Sequence, residues 1–181
     1  MNKTLSRSII MVCACLFLTA CIKDTDFDQA EDIALTPVVE LDLIYFNLDA
    51  RQFYDTINSN PVLTVTDTTE IKFLDDSTLQ ESLKRAEFYF KFTNGIPRNF
   101  QVDFQFLNEA NDTTYVAGTS VSEGLPTAPV ITEYIENVEG DDILRLTQAS
   151  KVVVSVTIAS SEENLEGILN LKSKTTYFLE Y

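Results

Sequence analysis

The chain has 181 residues, which suits one folded domain with a short leader, and its 13 basic and 28 acidic residues give a formal net charge of −15. A field of that sign repels phosphate backbones, so we do not expect nucleic acid to be a partner. Histidine is absent, which excludes Ser-His-Asp and Cys-His nucleophile pairs and the commonest zinc sites.

Residues 1–20 have the three parts of a secretory signal peptide. Lys3 and Arg7 precede an apolar run over residues 9–18 that is too short to span a bilayer, and small residues follow. The leader ends in Leu18-Thr19-Ala20-Cys21, which resembles a lipobox, the motif cut by lipoprotein signal peptidase. The resemblance implies cleavage before Cys21 and attachment of diacylglycerol to its thiol.

Lipid on Cys21 is expected to hold the protein on a membrane, since each buried methylene contributes about 0.8 kcal/mol. Cys13 and Cys15 lie in the leader, so its removal leaves Cys21 as the only cysteine of the mature chain. No internal disulfide can then form, and stability must come from packed apolar side chains. The alternative is an ordinary signal peptide or short anchor helix that ends in a chance cysteine.

Residues 21–36 are rich in charge and poor in periodic apolar residues, which is typical of a flexible acidic tether. Their opening, Lys23-Asp24-Thr25-Asp26, resembles the acidic export signal behind the lipidated cysteine of surface-displayed Bacteroidota lipoproteins. The chain as a whole resembles the small lipoproteins of that group. This resemblance implies a lipid-anchored outer-membrane protein that can face the cell surface, and a generic solvated linker is the alternative.

The tether also contains a pattern that is typical of calcium loops. Asp24, Asp26 and Asp28 alternate as the first ligands of an EF-hand do. Gln29 then stands where the loop needs glycine, and Leu35 stands where it needs a bidentate glutamate. We therefore predict no metal site and no cofactor.

Apolar and polar residues alternate from Pro37 onward, which predicts a mainly β domain over residues 37–181. We expect strands over residues 38–46, 62–65, 71–74, 113–117, 129–135 and 151–159, and one long or two abutting strands at the C-terminus. We expect a turn or helical excursion over 51–57, a helix over 77–85 and a helical turn over 141–149.

The strongest pattern lies in residues 88–106. Three phenylalanines share one face before a turn over residues 94–99, and four apolar residues share a face after it; these are Phe88, Phe90, Phe92, Phe100, Val102, Phe104 and Phe106. The pattern predicts a β-hairpin at the centre of the core. About eight strands with short connections predict an antiparallel β-sandwich or curved-sheet domain with one or two short helices.

Carboxylates are the remaining candidates for catalysis, because a pair of them can hydrolyse a glycosidic bond. The candidates are Asp75, Asp76, Glu109, Asp141, Asp142, Glu162 and Glu163. All lie at predicted element ends or loops, where acidic residues cap helices and keep surfaces soluble, and no spacing fixes a pair across a cleft. We predict no catalytic residue and a protein that is not an enzyme.

Sugar binding without catalysis requires exposed aromatic rings that stack on a pyranose, and this chain has no tryptophan. The candidate platforms are Tyr45, Tyr54, Tyr115 and Tyr134, although tyrosine in a strand is often a half-buried packing residue. Two functions remain open. One is a membrane-anchored, non-enzymatic lipoprotein that binds or scaffolds another cell-envelope component, and the other is a surface glycan-binding module.

Overall fold

The computed structural model describes residues 34–181, and gives Leu74 and Asp75 as backbone alone. Leu35–Tyr181 form one compact unit. The predicted leader, Cys21 and the three alternating aspartates lie outside the described residues. No helix within residues 34–181 is long and apolar enough to cross a bilayer.

The described chain is mainly strand. The strands are β1 (Val38–Asp49), β2 (Tyr54–Asp55), β3 (Asn60–Pro61), β4 (Thr64–Glu70), β5 (Leu83–Asn94), β6 (Phe100–Leu107), β7 (Thr113–Val121), β8 (Val130–Glu139), β9 (Lys151–Ile158) and β10 (Ile168–Leu179). Two short α-helices, α1 (Ser77–Ser82) and α2 (Asp141–Leu146), and two 3-10 turns, Ala50–Phe53 and Lys72–Asp75, connect them.

Eight of the described strands form two four-stranded sheets. The first sheet has the order β1-β10-β5-β8 and the second has the order β4-β9-β6-β7, while β2 and β3 pair separately. Every strand pair is antiparallel. The predicted fold class, an antiparallel β-sandwich with short helices, is confirmed.

The core lies between the inner faces of the two sheets. All seven inward residues of the 88–106 pattern are buried. The rings of Phe90 and Phe104 stack with centroids 4.0 Å apart, and those of Phe88 and Phe106 meet at 5.1 Å. Full burial of such a side chain stabilises the fold by about 1.5–3 kcal/mol, so these residues form the centre of the sandwich.

The predicted β-hairpin is wrong. β5 pairs with β10 and β8, whereas β6 pairs with β7 and β9, so the two strands belong to different sheets. Residues 95–99 carry the chain across the core from one sheet to the other. Alternation determines which side chains face inward, but it does not determine which strand lies alongside.

Asn94 anchors this crossing. Its buried Nδ2 donates to the carbonyl oxygens of Arg98 at 2.9 Å and Ser122 at 2.8 Å, and its Oδ1 accepts from the Ile96 amide at 2.8 Å. The surrounding loops approach so closely that a Cβ on Gly124 would lie 1.9 Å from the Asn94 carbonyl oxygen. The crossing therefore depends on local polar contacts and on glycine.

The two short strands predicted over residues 62–65 and 71–74 are also wrong. A single strand, β4, runs through the polar Thr66-Asp67-Thr68-Thr69 between the two predicted strands, and Lys72–Asp75 form a 3-10 turn. β4 is an edge strand with one solvent-exposed face. Threonine suits such a strand because its branched side chain favours extended backbone.

The helix predicted over residues 77–85 is shorter than expected. α1 ends at Ser82, and β5 begins at Leu83. Asp76 caps this helix, because its Oδ1 accepts from the amides of Thr78 at 2.8 Å and Leu79 at 3.1 Å. Arg85, expected to end the helix, instead lies in β5 with its guanidinium 3.7 Å from the centre of the Phe178 ring.

Candidate binding site on the first sheet

A β-bulge in β1 determines which side chains reach the outer face of the first sheet. The pairing of β1 with β10 shifts between Asp42 and Tyr45, so that Leu43 and Ile44 together lie opposite Ser173. Ser173 Oγ accepts from the Ile44 amide and donates to the Ile44 carbonyl, both at 2.9 Å. The extra residue reverses the alternation, as bulges do, and Tyr45 faces outward with 63% of its surface exposed.

Tyr45 begins a row of side chains that crosses the sheet. Tyr45, Lys172, Lys91 and Glu133 are successive register partners on β1, β10, β5 and β8. Neighbouring strands lie about 4.8 Å apart, so these side chains stand side by side. Lys91 Nζ lies 3.8 Å from a Glu133 oxygen, whereas the ammonium group of Lys172 forms neither a hydrogen bond nor an ion pair with any residue between 34 and 181.

Two asparagines hold the Tyr45 hydroxyl in place. Asn170 Nδ2 donates to Asn47 Oδ1 at 2.9 Å, and Asn47 Nδ2 donates to the Tyr45 hydroxyl oxygen at 2.8 Å. The phenol therefore accepts one bond and keeps its own proton available for a ligand. Ordering of these side chains before binding lowers the entropy lost on association.

The bulge also creates a shallow depression of about 370 Å³ beside the row. It is lined by Asp42, Leu43, Ile44, Tyr45, Lys172 and Ser173. We refer to this depression, together with Asn47, Asn170 and Lys91, as the bulge site. It presents an aromatic ring, two ammonium groups, a carboxylate and amides on an open surface, and these groups can recognise a polar ligand.

No family model matches the chain, and no curated protein matches it. Among solved structures it is similar to a "putative secreted protein" from Parabacteroides distasonis, at 14% identity and a TM-score of 0.48 over 63% of this chain and 37% of that one. It is also similar to VP2 of infectious bursal disease virus, at 8% identity and a TM-score of 0.47 over 80% of this chain and 32% of that one.

A third similar structure is an isomalto-dextranase from Arthrobacter globiformis in complex with panose. The identity is 12% and the TM-score is 0.32, over 62% of this chain and 16% of that one. This chain thus spans about a third or less of the length of most of these proteins. At such identities and TM-scores the likenesses carry no argument about activity or location.

Two of the predicted tyrosine platforms are not available. Tyr115 and Tyr134 both donate their hydroxyls to the Glu136 carboxylate, and their rings pack against Phe106 and Phe90 at centroid distances of 5.8 and 6.0 Å. We call this group the tyrosine clasp. Burial, with the bonds to Glu136, raises the pKa of Tyr134 to about 12 and the pKa of Tyr115 well above its ordinary value.

The clasp lies where the edge strands of the two sheets, β7 and β8, face each other, so its tyrosines are structural. Tyr54 is half-buried in β2. Of the four predicted platforms, Tyr45 alone exposes more than half of its surface. Exposure of Tyr45 depends on the bulge, which appears in the sequence only as the adjacent apolar pair Leu43-Ile44.

Three of the seven candidate carboxylates serve as a cap or as ion-pair partners. Asp76 caps α1, Asp142 lies 3.1 Å from Arg145 on α2, and Glu162 lies 2.8 Å from Arg98. Within residues 34–181, no group of three or more cysteine, aspartate or glutamate side chains could hold a metal ion. Sequence reasoning missed Lys172, Lys91 and the two asparagines, since only strand pairing assembles them.

Proposed function

We propose that this protein is a lipid-anchored, non-enzymatic lipoprotein of the cell envelope that binds another envelope component at the bulge site. One observation carries the proposal: an exposed, pre-ordered tyrosine stands beside Lys172, which has no partner among the described residues. An aromatic ring and a cation brought together on a surface are characteristic of binding sites. The lipobox at Cys21 supports the anchor, and the acidic tether supports display away from the membrane.

A second, narrower candidate function is binding of a glycan at the bulge site. The exposed face of Tyr45 can stack on a pyranose ring, while Asn47 and Asp42 supply hydrogen-bonding groups within reach of ring hydroxyls. The depression is half-open to solvent, so it can admit one ring of a longer polymer.

The anchor is tested by metabolic labelling with a fatty-acid analogue. We expect the wild type to carry label and to sediment with outer membranes, and Cys21→Ser to lose both properties. Equal labelling of the two proteins would contradict the anchor. Proteolysis of intact cells then tests display, because protection of the wild type would place the domain inside the envelope.

Binding at the bulge site is tested by photo-crosslinking in intact cells. We replace Tyr45 with the photoreactive aromatic p-benzoylphenylalanine, and make the same replacement at Val116, which is 53% exposed on β7 in the second sheet. We expect an adduct from position 45 and none from position 116. Equal adducts from the two positions, or none from position 45, would contradict a binding surface at the bulge.

A further inference from the structure

We propose that the bulge site takes a uronate residue of an acidic polysaccharide, with the pyranose ring on Tyr45 and the carboxylate at Lys172. The inference rests on the proposed function, because it names the ligand class of the same site.

Charge complementarity is the first argument. The chain has more than twice as many acidic as basic residues, and most of the described cations lie against carboxylates, as Lys174 Nζ does at 2.6 Å from Glu40, although Lys84 and Lys151 do not. Lys172 has no such partner, and its register neighbour on β5 is another cation, Lys91. Like charges directly opposite each other destabilise a sheet, and an anion placed over both would relieve that repulsion.

The carboxylate beside Lys91 is already engaged. Glu133 lies on the far side of Lys91 and accepts a hydrogen bond from the Tyr89 hydroxyl at 2.8 Å. The side of Lys91 that faces Lys172 is therefore open to a carboxylate from a ligand.

Geometry is the second argument. Tyr45 and Lys172 lie on adjacent strands about 4.8 Å apart, so a sugar ring on Tyr45 places its substituents over Lys172. A uronate carries a stacking face and a carboxylate on one ring. A lipid phosphate would use Lys172 without Tyr45.

Asp42 gives the site a direction. Its carboxylate lines the depression on the side of Tyr45 away from Asn47, and its register partner on β10 is Lys174. A ligand carboxylate is repelled from this end and attracted to the Lys172 end. Asp42 instead accepts bonds from ring hydroxyls, which sets the orientation of the sugar.

The test uses the full-length lipidated protein in detergent micelles and equilibrium binding to polygalacturonate and alginate, each compared with its neutral ester. A charge-assisted hydrogen bond at Lys172 predicts about tenfold tighter binding of an acidic polymer than of its ester. Lys172→Gln should abolish this preference, and Lys172→Arg should keep it. Lys151→Gln, the same charge change on β9 in the second sheet, should leave binding unaltered.

The outcomes separate the ligand class from the proposed function. If the acidic polymer and its ester bind equally well, and Tyr45→Ala loses this binding, the ligand is a neutral glycan and the proposed uronate is wrong. If neither acidic polymer binds, the inference is wrong. Crosslinking from position 45 tests the proposed function independently of this result. Lys172-dependent binding to phosphatidylglycerol vesicles that exceeds binding to the polymers would also overturn the uronate.

Discussion

Asn94 is a fully buried polar side chain at the point where the chain leaves the first sheet. Its amide satisfies backbone groups of Ile96, Arg98 and Ser122. Asn94→Leu leaves these three groups unpartnered, and each buried unsatisfied group costs about 1–3 kcal/mol, so we expect the free energy of unfolding to fall by about 3 kcal/mol or more. Urea unfolding measures this loss.

The matched control is Asn137→Leu on β8, where the asparagine is exposed and its side chain accepts a hydrogen bond from Arg85 at 3.2 Å. A surface change of this kind should alter stability by less than about 1 kcal/mol. Similar losses in the two variants would show that Asn94 does not hold the crossing.

Sequence reasoning at the residue scale worked for apolar side chains and failed for polar ones. The phenylalanines of β5 and β6 could be assigned to the core because alternation alone determines their direction. The sequence pattern predicts only that Asn94 belongs to a turn. Its burial depends on a contact with Ser122, 28 residues farther along the chain. Local pattern carries no information about such a contact.

At the scale of elements, the bulge in β1 depends on one serine of β10. Ser173→Ala removes the partner of both the amide and the carbonyl of Ile44. We expect a loss of about 1–3 kcal/mol in the free energy of unfolding, because both groups are left buried without a partner. We also expect weaker ligand binding, since the bulge directs Tyr45 outward.

Ser155→Ala provides the comparison for Ser173→Ala. Ser155 lies on the outer face of β9, in the second sheet, and deletion of its hydroxyl should change stability by less than about 0.5 kcal/mol. Urea unfolding of both variants, with titration by polygalacturonate, checks the two effects. A Ser173→Ala protein as stable as Ser155→Ala would contradict the role given to the hydroxyl.

Most of the strands and helices could be predicted from the sequence, but the pairing of the strands could not. Simple alternation predicts β9 and the C-terminal strand β10, and β9 begins and ends within a residue of its expected bounds. The pairing of β5 with β10 rather than β6 could not be read, because antiparallel neighbours and strands facing across a core show the same alternation. The bulge site has the same limit, since Tyr45 and Lys172 meet only through pairing of β1 with β10.

At the scale of the whole molecule, the two long sides of the sandwich differ. The tyrosine clasp joins β7 and β8 on one side. On the other side, a crevice of about 260 Å³ opens between the edge strands β1 and β4, lined by residues that include Phe46, Val65 and Asp67. The clasp therefore closes one side of the sandwich with polar contacts. Ionisation of its tyrosines is expected to lower the free energy of unfolding of the whole domain.

Alkaline pH tests this closure. Burial raises the pKa of Tyr134 to about 12, so the unfolded chain loses its phenol proton first, and the free energy of unfolding should fall as pH rises from about 10 towards 12. Tyr115→Phe with Tyr134→Phe should reduce this fall, although Tyr177, whose pKa burial also raises to about 12, retains part of it. Urea midpoints at pH 8 and 11 measure the difference. Tyr181→Phe, at an exposed ring, should match the wild type, and an unchanged fall in the double variant would show that the clasp does not close the sandwich.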